Sequence, residues 1–112
     1  MQITVEQRPP ATVVRIMGSV DGLSADTLQT ALEAEVNVGH THLVADLSGV
    51  DYTSSAGLRA LLATVKRARQ QGGDFRLAAA HPPVHRVLEM SGFTSILKLY
   101  GEVDAAVASF AG

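Results

Sequence analysis

The chain contains no cysteine and no tryptophan. Without cysteine there can be no disulfide framework, no thiolate zinc site and no cysteine nucleophile. Aromatic residues make up only 4% of the sequence, so platforms for stacking nucleic-acid bases are scarce. An excess of positive charge is also missing. Lys and Arg number 9 against 11 Asp and Glu, a formal net charge of −2, which offers no broad field to nucleic acid or acidic membranes. No apolar run approaches the roughly 20 residues that span a bilayer. Residues 1–10, MQITVEQRPP, lack the charged-then-apolar layout of a secretory signal. These absences lead to the expectation of a cytoplasmic protein with no membrane insertion and no direct nucleic-acid partner.

What is present suits a packed core. The sequence is 46% hydrophobic and 18% charged, too apolar for a disordered chain. Its 112 residues fit one compact domain, expected over 1–112.

Local patterns define the elements. Ile3, Val5 and Gln7 begin an alternating stretch that Pro9-Pro10 interrupts, and residues 11–17 are rich in β-branched side chains. Two such runs around a short turn predict an antiparallel hairpin. Ser24 is a candidate N-cap with Asp26 in the first turn, and Leu28, Ala31, Leu32 and Val36 then recur at helical spacing up to Gly39. Residues 43–47 form a short apolar run, the mark of a strand covered on both faces. Leu58, Leu61, Leu62, Val65 and Ala68 stripe a helix over 57–71, closed by Gly72-Gly73. Residues 75–79 predict another strand. Pro82-Pro83 opens a short helix near Pro83, with Val84, Val87 and Leu88 inside and Gly92 at its end. A last strand over 96–99 and a last helix over 102–110 complete the pattern. The order β-β-α-β-α-β-α-β-α predicts an α/β domain in which an N-terminal hairpin leads into a mixed, largely parallel sheet with four helices.

The densest segment is Asp46-Leu-Ser-Gly-Val-Asp-Tyr-Thr-Ser-Ser-Ala-Gly-Leu58, which follows a strand and enters a helix. In open α/β sheets, sites gather where parallel strands end. The small residues Thr53, Ser54, Ser55, Ala56 and Gly57 would let another backbone come close. First-turn N–H groups of a helix lack intrahelical partners and favour anions. Chemistry alone leaves two readings open: a plain serine cap, or an anion or partner site.

Extended to Leu62 by Arg-Ala-Leu, the same segment resembles the signature of the STAS domain, the fold of anti-sigma factor antagonists. Val87-Leu-Glu-Met-Ser-Gly-Phe93, Leu97-Lys-Leu-Tyr100 and Glu102-Val-Asp-Ala-Ala106 are similar to that family's closing helix, strand and helix. The resemblance implies a protein that binds an anti-sigma factor serine kinase and so releases a sigma factor. The kinase would switch it off by phosphorylating the start of the helix after the third strand, and a serine phosphatase would reset it. The phosphoacceptor position falls on Ser55, with Ser54 and Thr53 as alternatives. Ser54 stands where many members carry aspartate, and Thr53 where a larger apolar residue is usual. The partner surface is expected to comprise Asp21, Asp46, Ser54, Ser55, Ala56, Gly57 and Arg59, with Asp46 at the end of its strand. A related reading is an accessory subunit of a lipid-transport ATPase, or a scaffold of a stress-signalling complex, working without phosphorylation. A monomer or weak dimer is expected.

Other constellations carry less. His40, His42, His81 and His85 read as surface-loop histidines, and no metal site or cofactor is expected. Arg59, Lys66, Arg67 and Arg69 read mainly as the solvated side of a helix, with Arg59 set apart by lying one turn from Ser55. No Gly-x-Ser-x-Gly elbow surrounds Ser55 and no Walker-type loop is present, so the chain is expected not to be an enzyme.

Overall fold

The chain enters the sheet as a hairpin because two runs of strand-forming residues flank Pro9-Pro10. The computed structural model describes residues 1–111; Gly112, the last residue of the expected domain, lies outside the described residues. Strand β1 (Gln2–Arg8) pairs antiparallel with β2 (Ala11–Met17), with Val5 opposite Val14. Strands β3 (His42–Gly49), β4 (Asp74–Ala78) and β5 (Leu99–Tyr100) then add in parallel. The five-stranded sheet has the order β1-β2-β3-β4-β5.

Helices α1 (Ala25–Asn37), α2 (Ser55–Gln70) and α3 (Pro82–Met90) cover one face. Their buried Leu28, Leu32, Leu61, Val65, Val84 and Leu88 join Val14, Ile16, Leu43, Ala45, Phe75 and Leu77 in the main core. Helix α4 (Val103–Ala108) covers the other face, where Ala106 and Val107 meet Val13, Val44 and Ala78. Each fully buried Val, Leu or Phe contributes about 1.5–3 kcal/mol relative to exposure. The unbroken burial of 43–47 follows from this two-sided cover: Leu43, Ala45 and Leu47 serve one core and Val44 the other.

Several expectations need correction. The last strand is Leu99–Tyr100, not 96–99. After Gly92, at φ +76°, residues Phe93–Ser95 make a 3₁₀ turn, and the N–H groups of Ile96 and Leu97 both donate to the Phe93 carbonyl. The chain therefore reaches the sheet late, while Leu97 fills the core from the loop. Helix α3 begins at Pro82, and Val87 lies at its margin, 36% exposed. A nine-residue helix resting on Val84 and Leu88 along one i, i+4 line leaves Val87 off the contact. Helix α2 starts at Ser55, two residues early, and α4 spans only 103–108.

The C-terminal segment is held from outside the helix. Phe110 stacks on His42 with ring centroids 4.8 Å apart, and the Arg76 guanidinium sits 4.0 Å from the same ring. His42 is thus a strand residue rather than a loop residue. Arg8 pairs with Asp104, and Arg76 donates to Ser109 Oγ at 2.6 Å. The basic side chains of α2 are partly spent on the fold: Arg67 donates to Asn37, and Arg69 to Asp74 and to the Ile96 carbonyl. No helix among the described residues is long and apolar enough to cross a membrane.

Candidate functional site

Two loops leave the C-terminal ends of β2 and β3 and are stitched together backbone to backbone. Gly18 N–H donates to the Gly49 carbonyl at 2.8 Å and Val20 N–H to the Tyr52 carbonyl at 2.9 Å. Ser54 N–H returns to the Val20 carbonyl at 2.8 Å, so Val20 and Thr53 form a parallel bridge. The Ser19 hydroxyl adds a bond to Asp51 Oδ1 at 2.9 Å. The turn before α1 and the serine loop before α2 are therefore one surface.

The structure separates the two serines. Ser54 is the N-cap of α2, in extended backbone at φ −85° and ψ 171°, and its Oγ accepts from Gly57 N–H at 3.2 Å. This satisfies one of the donors that a helix start leaves unpaired. Ser55 is the first helical residue and is exposed, and among the described residues no hydrogen bond engages its hydroxyl. Thr53 is only 8% exposed and its hydroxyl donates to the Ser54 carbonyl, so it is poorly placed to accept a phosphoryl group.

Gly57 makes this arrangement possible. A Cβ there would strike Thr53 Oγ1 and come within 2.8 Å of Val20 Cγ1. The first turn of α2 can rest on Val20 only because position 57 has no side chain. Ala56, half-buried, and Arg59, exposed one turn on, lie on the same first stretch of the helix. Among the described residues Arg59 makes no ion pair.

Asp21 has a role that sequence patterns assigned to Ser24. Its Oδ1 accepts from Leu23 N–H at 3.0 Å and Ser24 N–H at 2.9 Å, while Ser24 Oγ accepts from Asp21 N–H at 2.9 Å. Ala25 N–H donates to the Asp21 carbonyl, as a first helical bond would. This is a reciprocal capping box with Asp21 at the cap. Ser24 occupies the formal cap position of α1 but makes no capping bond of its own there. The hydrogen bond from Ser24 N–H, with those from the Ser24 hydroxyl and Leu23, holds the Asp21 carboxyl below its ordinary value.

Asp46 departs from expectation. Strand β3 continues to Gly49, so Asp46 lies inside the sheet and is 2% exposed. Its neighbours Ala45 and Leu47 serve the main core, so its carboxylate turns to the opposite face. There Oδ2 accepts from Arg15 Nε at 3.0 Å and Oδ1 from Ser48 N–H at 2.9 Å. Burial pushes this carboxyl up, but the bonds from Ser48 and Arg15 outweigh it and leave it lowered. Asp46 therefore positions the end of β3 and is not available to touch a partner. His81 helps in the same place, its Nε2 bonded to the Ser48 carbonyl. No cluster of three potential metal ligands occurs among the described residues.

Sequence patterns give no individual role to Val20, which carries the stitch, or to Leu23 and Tyr52, which stand exposed on the two loops. The one available signal was an apolar Leu23 set between Gly22 and Ser24 in a polar turn.

The architecture defines a small single α/β domain with a mixed five-stranded sheet, four helices and a loop-built surface where the parallel strands end. A STAS domain model matches residues 2–106, and the chain belongs to the STAS domain family. BtrV of Bordetella bronchiseptica, provisionally named an anti-sigma factor antagonist, is 36% identical over 98% of this chain and 95% of its own length. The crystal structure of an anti-sigma factor antagonist from Mycobacterium paratuberculosis has 30% identity and a TM-score of 0.90, covering 99% of this chain and 94% of that one. The anti-sigma factor antagonist SpoIIAA of Bacillus, solved in unphosphorylated and phosphorylated forms, shares the fold at TM-scores of 0.75 in both. Its identity is 14% and 15%, covering 99% and 97% of this chain and 99% of each of those chains.

Proposed function

We propose that this protein is an anti-sigma factor antagonist working in the cytoplasm by reversible binding rather than catalysis. Unphosphorylated, it binds an anti-sigma factor serine kinase through the joined loops and the start of α2, and a sigma factor is released. Phosphate on Ser55 ends the binding, and a serine phosphatase restores it. The observation that carries this reading is the division of labour at the helix start: Ser54 is committed to capping, and Ser55 presents an unengaged, exposed hydroxyl beside it. The names of the relatives support it, as does a fold-mate solved in both phosphorylation states.

The physics suits a switch that leaves the fold alone. Phosphate adds about −1.5 to −2 charges at neutral pH. At the first position of a helix, the dipole and unpaired N–H groups stabilise that charge, so the domain tolerates it. Against a partner, the same group must be desolvated and accommodated between close surfaces. A penalty of about 3 kcal/mol weakens binding more than a hundredfold. Asp51, exposed on the same loop, adds like-charge repulsion.

The test is phosphate transfer from ATP by a purified anti-sigma factor serine kinase of the host, read by intact mass and site mapping. One phosphate on wild type and none on Ser55→Ala is the expected result. Equal incorporation into both overturns Ser55 as the acceptor.

A further inference from the structure

Leu23 is 94% exposed and Tyr52 is 55% exposed. They stand on the two loops that the Val20–Thr53 bridge joins. Neither position is slack. Leu23 N–H is held by the Asp21 carboxylate at 3.0 Å, inside a capping box that fixes the turn on both sides. The Tyr52 carbonyl is held by Val20 N–H at 2.9 Å. A nearly naked leucine contributes nothing to either core, and its contact with water is unfavourable. Its backbone is already ordered, so little further freedom is lost when a partner covers it. A fixed backbone and a bare apolar side chain together suit an interface anchor.

The surrounding charge indicates what covers it. Asp21, Asp26 and Asp51 are all exposed on these loops and the first turn of α1, where no Lys or Arg stands, and Arg59 lies one turn into α2. A complementary surface is apolar at its centre and basic at its rim.

We infer that Leu23 and Tyr52 are the apolar anchors of the partner interface, and that the anti-sigma factor kinase receives them in an apolar socket edged with Lys or Arg. This rests on the functional reading above and adds to it the residues that supply affinity. It also separates affinity from switching. Leu23 grips from the turn before α1, whereas phosphate acts from Ser55 on the neighbouring loop.

The test is calorimetric binding of the kinase that phosphorylates the wild-type chain, loaded with ADP so that no phosphate is transferred. Leu23→Ala is expected to weaken binding roughly tenfold or more and Leu23→Asp over a hundredfold. Tyr52→Ala is expected to cost about fivefold or more. Met90→Ala, which removes a side chain 80% exposed at the far end of α3, is expected to stay within about twofold of wild type. Raised salt should weaken wild-type binding. Thermal melting of Leu23→Ala matching wild type excludes a folding defect. If wild type binds and is phosphorylated on Ser55 while both Leu23 variants bind within about twofold of it, the inference alone is overturned. If wild type binds no such kinase, the functional reading falls and the inference falls with it.

Discussion

The N–H of Ser54 donates to the carbonyl of Val20 at 2.8 Å, while the hydroxyl of the same serine caps α2. One residue thereby joins two loops and starts a helix. Its neighbour Ser55 carries neither duty, and a chemical change there disturbs no bond that holds the fold.

Substitution should separate these roles. Ser54→Ala removes the acceptor for Gly57 N–H and is expected to cost about 1 kcal/mol of stability. Ser55→Ala changes an exposed side chain and should stay within about 0.5 kcal/mol of wild type. Urea denaturation measures both. A larger loss at position 55 than at 54 would contradict the assignment of the cap.

Gly57→Ala sets two effects against each other. Alanine is the better helix former by up to about 1 kcal/mol. Its Cβ, however, would overlap Thr53 Oγ1 and crowd Val20 Cγ1 at 2.8 Å. Overpacking of this kind costs about 1–3 kcal/mol and should win, giving a net loss in denaturation midpoint. A stabilised variant would show that the helix start can lift away from Val20 at no cost.

Asp21→Ala deletes the cap of α1 and the bond to Leu23 N–H together. The expected loss is about 1–2 kcal/mol, with Asp21→Asn closer to wild type because its amide oxygen can still accept. Hydrogen exchange at Leu23 and Ser24 should accelerate in the alanine variant. Unchanged protection there would refute the capping box.

Asp46 predicts a pH dependence. Its folded value is depressed below the value of about 4 for an unfolded aspartate. A depressed carboxyl contributes stability that is fully present above the unfolded value and is lost as pH falls through the folded value. Wild type should therefore weaken as pH drops below about 4. Asp46→Asn should show a flatter decline over the same window, although not a flat one, because Asp74 is shifted the same way. In Asp74, burial raises the carboxyl, but bonds from Arg76, Phe75 and Arg69 outweigh it and leave it lowered. Identical acid profiles for wild type and Asp46→Asn would disprove the assignment.

Helix α2 and strand β3 were legible because burial imposes periods that the chain must obey, as Leu58, Leu61 and Val65 do at helical spacing. The expected surface groups Asp21 with Ser54 and Ser55, and the Val20–Thr53 bridge brings their two loops together. The identity of the α1 cap was not legible. Asp21 and Ser24 are both good capping residues, and the choice between them depends on where the Val20 bridge releases the chain. The apolar run ends at Leu47, which on sequence alone places Asp46 at the end of its strand. Parallel pairing of Met17 with Gly49, past a bulge, carries the strand on, so Asp46 lies within the sheet rather than at its end. Residues 96–99 look like a strand because Ile, Leu and Leu cluster there, but Leu97 meets the core from a turn.

The sheet follows chain order, β1 through β5. Consecutive strands are therefore neighbours in space, and each is synthesised after the strand it pairs with. Every residue of the proposed partner surface lies between Gly18 and Arg59, so that stretch is synthesised before β4 begins at Asp74. The last half of the chain braces that surface: β4 borders β3, and His81 ties down the end of that strand through the Ser48 carbonyl.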